Sequence, residues 1–227
     1  MAQHDIDATD IISRRSITSL ISVHSAPVRD GLPDPPMKLG QDIIIEIPPT
    51  SAADDEAFVA ALVEIINAAY TETEGDIFKP GYLRTSGQDI ATLLRSSELA
   101  VASQHTSSGG RIPLGCISIQ KLGETRAELG LFAVVAELRG NGLGRDLLEF
   151  AEQHCLSELG DSGAVVTQLN VLFPKHFEHP FKIRLQKWYM KLGYQIVRHR
   201  DFLLDYPQLA PLLTGPTEYR MLEKKLV

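Results

Sequence analysis

The sequence predicts an α/β (α+β) fold: a mixed, mostly antiparallel sheet of about seven strands flanked by about four helices. Three features predict it. Short apolar runs rich in β-branched residues recur along the chain, and four segments repeat apolar residues at helical spacing. The two kinds of segment follow the order β, α, α, β, β, β, α, β, α, β, β. With 227 residues, 44% of them hydrophobic and 22% charged, the chain can enclose a substantial core.

Residues 1–39 are rich in Ser, Asp and Pro and close on Pro33, Pro35 and Pro36, which predicts a flexible or loosely packed extension; residues 40–227 are expected to form one folded domain. The run Ile43-Ile44-Ile45-Glu46-Ile47, stopped by Pro48 and Pro49, suits a first strand. Between Asp54 and Tyr70, the residues Phe58, Leu62, Ile65, Ile66 and Ala69 mark an amphipathic helix, with Asp54, Asp55 and Glu56 at the positive end of its dipole. A weaker helical pattern covers Gln88 to Arg95, after a segment from Gly75 to Gly87 that reads as a substrate-facing loop.

Strands are expected at Leu99 to Ser103, Leu114 to Gln120 and Ala127 to Val135, joined by turns such as Ser107-Ser108-Gly109-Gly110 into a meander. From Gly142 to Leu159, the residues Leu143, Leu147, Phe150, Ala151, Cys155 and Leu159 form one apolar stripe, and Gly160 ends it. A strand from Ala164 to Leu172 precedes a loop with Pro174 and Pro180 and a helix from Lys182 to Leu192, stopped by Gly193. Strands at Tyr194 to Leu204 and Glu218 to Lys225 complete the pattern.

A formal charge of −7 argues against nucleic acid or an anionic membrane as partner, since phosphate would be repelled at long range. Cys116 and Cys155 lie inside apolar patterns and read as reduced core residues, with neither number nor spacing for a disulfide framework or zinc site. The start of the chain lacks the apolar run of a signal peptide, and no stretch of about twenty apolar residues suits a membrane span, so a soluble cytoplasmic protein is expected. His176 and His179, on a Pro-bounded loop without cysteines, give no metal signature.

The chemistry concentrates at Arg139-Gly140-Asn141-Gly142-Leu143-Gly144-Arg145, between an apolar strand and an amphipathic helix. Amides at a helix start lack intrahelical acceptors and face an anion, glycine permits positive φ and close backbone approach, and two arginines bracket the loop. A dinucleotide fingerprint would need glycine where Arg145 stands, and a P-loop would need a Lys-Ser or Lys-Thr ending.

The run from Glu128 through Arg139-Gly140-Asn141-Gly142-Leu143-Gly144 to Leu148 resembles the acetyl-CoA-binding motif of the GNAT N-acetyltransferase superfamily. Downstream, Trp188-Tyr189-Met190-Lys191-Leu192-Gly193-Tyr194 is similar to the same superfamily's aromatic-Tyr-x-Lys-Leu-Gly-aromatic segment. The resemblance implies a sheet splayed where CoA inserts, with the motif strand parting from the strand after Ala164. It implies that backbone groups of Phe132, Ala133 and Val134 pair with the pantetheine arm and that residues 139 to 145 hold the pyrophosphate. It also implies an oxyanion donor near Val134 or Val135, Tyr189 as general acid toward the departing thiolate, and Glu128 near the acceptor channel as the base. Glu72, Glu74 and Asp76 are the other acidic residues placed to line an acceptor site.

The sequence departs from the superfamily pattern at Lys182, where many members carry Asn, and at Leu185, where they carry Ala; the contact of that Asn with CoA is therefore not transferred, while Lys182 is a cation able to approach a phosphate. The resemblance implies direct attack of an amine on acetyl-CoA, with no metal and with a small molecule as the expected acceptor. Two alternatives stand beside it: the same fold using another acyl-CoA or a protein or peptide amine, and a non-catalytic CoA-binding module. Neither acceptor identity nor oligomeric state is written in the loops.

Overall fold

The computed structural model describes residues 43–105 and 110–226; the expected extension at residues 1–39 and most of the turn at Ser107 to Gly110 lie outside them. Seven strands form one sheet: β1 (Ile43–Glu46), β2 (Leu99–His105), β3 (Arg111–Lys121), β4 (Arg126–Val134), β5 (Val166–Pro174), β6 (Gln195–Asp201) and β7 (Thr217–Lys225). Their order is β1-β2-β3-β4-β5-β7-β6. β4 and β5 run parallel, and the other neighbours run antiparallel. The helices are α1 (Glu56–Glu74), α2 (Gly87–Arg95), α3 (Leu143–Leu159), α4 (Pro180–Lys191) and the single turn α5 (Phe202–Asp205).

Local chemistry sets the helix starts. Asp55 accepts from the Phe58 amide at 3.0 Å to open α1, and Ser86 with Asp89 forms a reciprocal capping box on α2. His179 accepts from the Lys182 amide ahead of Pro180, whose fixed φ suits the first position of α4. Asp201 accepts from the Leu203 amide and opens α5.

The period-two alternation of β2 sorts the layers. Leu99 and Val101 pack with Phe58, Leu62, Ile66, Ile90 and Leu94 of α1 and α2, while Ala100 and Ala102 pack with Leu143, Leu147, Leu148, Ala151 and Cys155 of α3. The sheet is therefore a central layer, with α1 and α2 on one face and α3 on the other. Leu62, Ile66, Leu147 and Ala151 have no exposed surface; truncating a leucine at such a site costs about 2–5 kcal/mol. Cys116 and Cys155 are buried free thiols, pushed up to about 12 and about 11, chiefly by desolvation.

β3 begins at Arg111 rather than Leu114 and β2 runs to His105 rather than Ser103, and two further elements differ from expectation. α1 runs one turn beyond Tyr70 to Glu74, with Thr73 Oγ1 bonding back to the Ala69 carbonyl at 2.8 Å; the polar run Thr71-Glu72-Thr73-Glu74 conceals that its last residue is buried. β6 ends at Asp201 rather than Leu204, because the Asp201 carboxylate turns the chain into α5. Ile77, Phe78, Leu209 and Leu213, which lie outside the expected elements, join Leu172 and Phe202 in a third apolar cluster, tied by a bridge between Phe78 and Leu213.

The sheet opens between β4 and β5. They pair at Arg126↔Val166, Ala127↔Thr167 and Glu128↔Gln168, after which β4 continues along β3 and β5 along β7. A polar clasp closes the paired end: Arg126 donates to Gln168 at 3.1 Å and to Glu223 at 2.5 Å, and Gln168 donates to Glu128 at 3.1 Å. Above it, β4 holds one residue more than β3, since Cys116 faces Ala133 and Ser118 faces Gly130. This bulge puts Leu131 at φ 40 and bends the strand away from β5.

Candidate functional site

Gly140 (φ 81) and Gly142 (φ 98) lie in the left-handed region, where a side chain would be strained. Gly144 has a different role: a Cβ there would sit 3.3 Å from Phe132 Cζ, so its absence lets α3 lie against β4. No side chain caps α3, whose N-cap is Gly142, whereas α1, α2, α4 and α5 are each capped by a side chain. The Arg145 amide donates to the Gly142 carbonyl at 2.7 Å, so the amides of Leu143 and Gly144 are those left for an exogenous acceptor, and the positive end of the helix dipole points the same way.

The loop opens into a cavity of about 300 Å³ lying in the split between β4 and β5. Phe132, Ala133 and Val134 of β4 line it, together with Arg139, Gly140 and Gly144 of the loop and Leu185, Trp188 and Tyr189 of α4. From the opposite face of the sheet, Tyr70 and Glu74 of α1 and the following Arg84 complete the wall, with Asn170 and Tyr219 from β5 and β7. One cavity therefore passes through the sheet, reaching a helix N-terminus on one face and a polar cluster on the other.

Backbone parity selects the open amide of β4. The Val135 N–H donates to the Leu114 carbonyl at 2.9 Å, which makes Gly115 and Val134 a non-hydrogen-bonded pair, with the Val134 N–H and carbonyl turned away from β3. The Val134 carbonyl accepts from Arg139 Nε at 3.2 Å. Of the two amides named by sequence, that of Val135 is thus committed to the sheet, and that of Val134 faces the split.

The phenols of Tyr70 and Tyr189 both line the cavity. Burial pushes Tyr70 up to about 12, with Arg84 pulling it down, Glu74 and Cys116 pushing it up and a backbone hydrogen bond from Phe132 pulling it down. Tyr189, 6% exposed, is also raised by burial and by the nearness of Tyr70. Both stay protonated and neutral through the physiological range. Phe132 and Trp188 stack across the opening at 6.1 Å between ring centroids. Glu74 and Lys182 form a buried ion pair at 2.5 Å, their side chains 7% and 5% exposed, and Glu74 Oε2 has no partner among the described residues.

The structure brings Phe132, Ala133, Val134, Arg139, Gly140, Gly144 and Tyr189 to one cavity. Asn141 is exposed beside it, while the Leu143 side chain enters the core and leaves its main chain to the loop. Arg139 is tied to Glu72 at 2.6 Å, and Arg145 turns to a separate depression beside Lys191 and Lys224. Glu128 stands at the closed end of the split, inside the clasp with Gln168, and does not line the cavity. Lys182 does not approach the glycine loop; its ammonium is held by Glu74. His179 faces Asp76 at 3.2 Å, and among the described residues no three metal-ligating side chains come together.

Tyr70, Arg84, Asn170 and Tyr219 carry no motif and escaped sequence reasoning. One signal was present for part of this set: Leu62, Ile66, Tyr70 and Glu74 follow one another at i, i+4, so the buried stripe of α1 ends in two polar side chains. No helix among the described residues is long and apolar enough to cross a membrane.

Known structures share this architecture. An aminoglycoside 6'-N-acetyltransferase complexed with coenzyme A is similar at 17% identity and a TM-score of 0.56, over 81% of this chain and 97% of that one. The PaiA N-acetyltransferase of Thermoplasma acidophilum in complex with coenzyme A is similar at 15% identity and 0.55, over 82% and 100%. A chain of the NatC complex bound to Gag peptide and CoA is similar at 16% identity and 0.52, over 82% and 100%. No curated protein matches the sequence. Residues 65–196, more than half of the chain, match the acetyltransferase (GNAT) domain, and the protein belongs to that family.

Proposed function

We propose that residues 40–227 act as one N-acetyltransferase domain that moves the acetyl group of acetyl-CoA onto a primary amine of a small molecule, by direct attack inside the β4/β5 split. The observation that carries this reading is the single cavity joining the uncapped start of α3 to the buried phenols of Tyr70 and Tyr189. Structures that are similar in fold were solved with coenzyme A, which supports the donor.

In this reading, the amides of Gly140, Gly142, Leu143 and Gly144 hold the pyrophosphate, as the helix terminus and the positive-φ glycines allow. Arg139 stands at the rim, positioned by its ties to Glu72 and to the Val134 carbonyl. The pantetheine arm runs along Phe132 to Val134, where Val134 presents an open N–H to the carbonyl oxygen as its charge grows. Most of the rate advantage comes from holding amine and thioester together.

As the C–N bond forms and the C–S bond breaks, Tyr189 donates a hydrogen bond to the leaving sulfur. A thiol near the ordinary value of about 8.5 is a stronger acid than a phenol held above 10, so full proton transfer from Tyr189 is uphill, and the thiolate is stabilised rather than permanently protonated by it. Glu74, with Oε2 free of protein partners, accepts the ammonium proton. Glu128 is given no proton-transfer role here because Gln168 holds it outside the cavity.

The test is release of free CoA thiol from acetyl-CoA across amines, amino acids, polyamines and peptides, with the acetylated product identified by mass. Acetylation of at least one amine is expected. Tight CoA binding with no turnover of any amine would instead indicate a CoA-binding module, and faster release from propionyl-CoA would indicate another acyl donor.

A further inference from the structure

Within the acetyl-transfer reading, we propose that the acceptor is an amine that also carries a carboxylate, of amino-acid size, and that Arg84 is the residue that binds that carboxylate. Four ionic side chains line the cavity: Glu74, Arg84, Arg139 and Lys182. Lys182 is matched by Glu74 at 2.5 Å and Arg139 by Glu72 at 2.6 Å. Arg84 forms no ion pair among the described residues, and its Nε is buried without a hydrogen-bond partner. Three cations thus face two carboxylates, Glu74 in the cavity wall and Glu72 outside it, which leaves one cation unmatched.

Arg84 is also held in place. Its amide and that of Thr85 both donate to Asn67 Oδ1, at 2.8 and 3.1 Å, while Asn67 Nδ2 donates to the Thr85 carbonyl at 3.0 Å, which fixes this backbone to α1. The guanidinium lies over the Tyr70 ring, 4.9 Å from its centroid. A planar, permanently charged group oriented this way suits bidentate binding of a carboxylate. Leaving the buried Nε without an acceptor is unfavourable, and a bound anion removes that penalty.

The second buried atom without a partner in this cavity is Glu74 Oε2, an acceptor. One orphan acceptor and one orphan donor in the same pocket fit the two ends of an amino acid: the amine at Glu74, toward Tyr189, and the carboxylate at Arg84. A volume of about 300 Å³ shared with the acetyl end of the donor leaves room for a small acceptor only. A polycation would bring its positive charges against Arg84 with no free carboxylate besides Glu74 to offset them.

The experiment compares matched sets on the intact protein: several amino acids, their carboxamides and the corresponding decarboxylated amines, with spermidine as polycation. Thiol release gives kcat/KM, and calorimetry gives CoA affinity and the binding of each N-acetyl product to the CoA-loaded protein. The free carboxylate is expected to raise kcat/KM and product affinity at least about tenfold, the usual weight of a charge-assisted pair. Arg84→Gln should erase that preference with the CoA Kd unchanged; Arg84→Lys, which keeps the charge should the glutamine variant not fold, should retain part of it. Equal or better use of amides, decarboxylated amines or spermidine overturns the inference. So does a preference that survives in Arg84→Gln, or normal CoA binding with no amino acid bound or acetylated. Absence of CoA binding is a different failure, that of the acetyl-transfer reading itself.

Discussion

The two ends of the cavity are built on opposite plans. The end at α3 is made of main chain: positive-φ glycines, uncapped first-turn amides and the open Val134 N–H, all within eleven residues of sequence from 134 to 144. The end at α1 is made of side chains brought from far apart, with Glu74 and Lys182 separated by 108 positions and Arg84 and Tyr219 by 135. A site that reads an anion through amides needs a fixed local path and tolerates many side chains. A site that selects an acceptor needs particular side chains and tolerates many paths.

Substitutions that separate the two ends test this contrast. The largest effect is expected at Glu74→Gln, which removes the proton acceptor and leaves Lys182 buried without its carboxylate. A fall in kcat/KM of about 10²–10³ is expected from the first loss, and destabilisation of about 3–5 kcal/mol from the second, with CoA affinity retained in the folded fraction. Steady-state kinetics and denaturant melts check both, and the double variant Glu74→Gln/Lys182→Met should recover stability without recovering turnover.

Next is Tyr189→Phe, for which kcat should drop about 10²-fold with little change in the KM for acetyl-CoA. With Tyr70 pushed up to about 12 and Tyr189 also raised, the wild-type pH–rate profile should show no decline from phenol ionisation up to pH 10. At the other end of the cavity, Gly142→Ala forces a side chain into φ 98. It should cost about 1–2 kcal/mol of stability and raise the Kd for CoA at least about fivefold by displacing the loop amides, while relative rates among acceptors stay unchanged. The smallest effect is expected at Glu128→Gln: turnover within about twofold and stability within about 1 kcal/mol, because the side chain serves the partly exposed clasp at Gln168.

The same contrast explains what was legible in the sequence. The element order and the seven strands were readable because burial leaves a period of 2 or 3.6 in the apolar residues, and Gly140 and Gly142 were readable because backbone geometry restricts residue type. The split of the sheet entered through resemblance alone. The last turn of α1 was missed because Thr71-Glu72-Thr73-Glu74 has the composition of a solvated loop, although Glu74 is buried against Lys182. Lys182 was read toward the phosphates for want of any local sign of its partner. Arg84 left no trace, since its packing on Tyr70 and its ties to Asn67 arise only when α1 and the chain after it meet. No element was expected between Leu204 and Glu218, yet Leu209 and Leu213 help to close the third apolar cluster.

The central claim is that the donor is held by main chain at the start of α3 and along β4. Amide hydrogen exchange with and without CoA tests it most directly. Slowed exchange is expected at residues 140–145 and at Val134, with no change in β1 or β6; unchanged exchange across 140–145 in a protein saturated with CoA, or protection centred elsewhere, would contradict it.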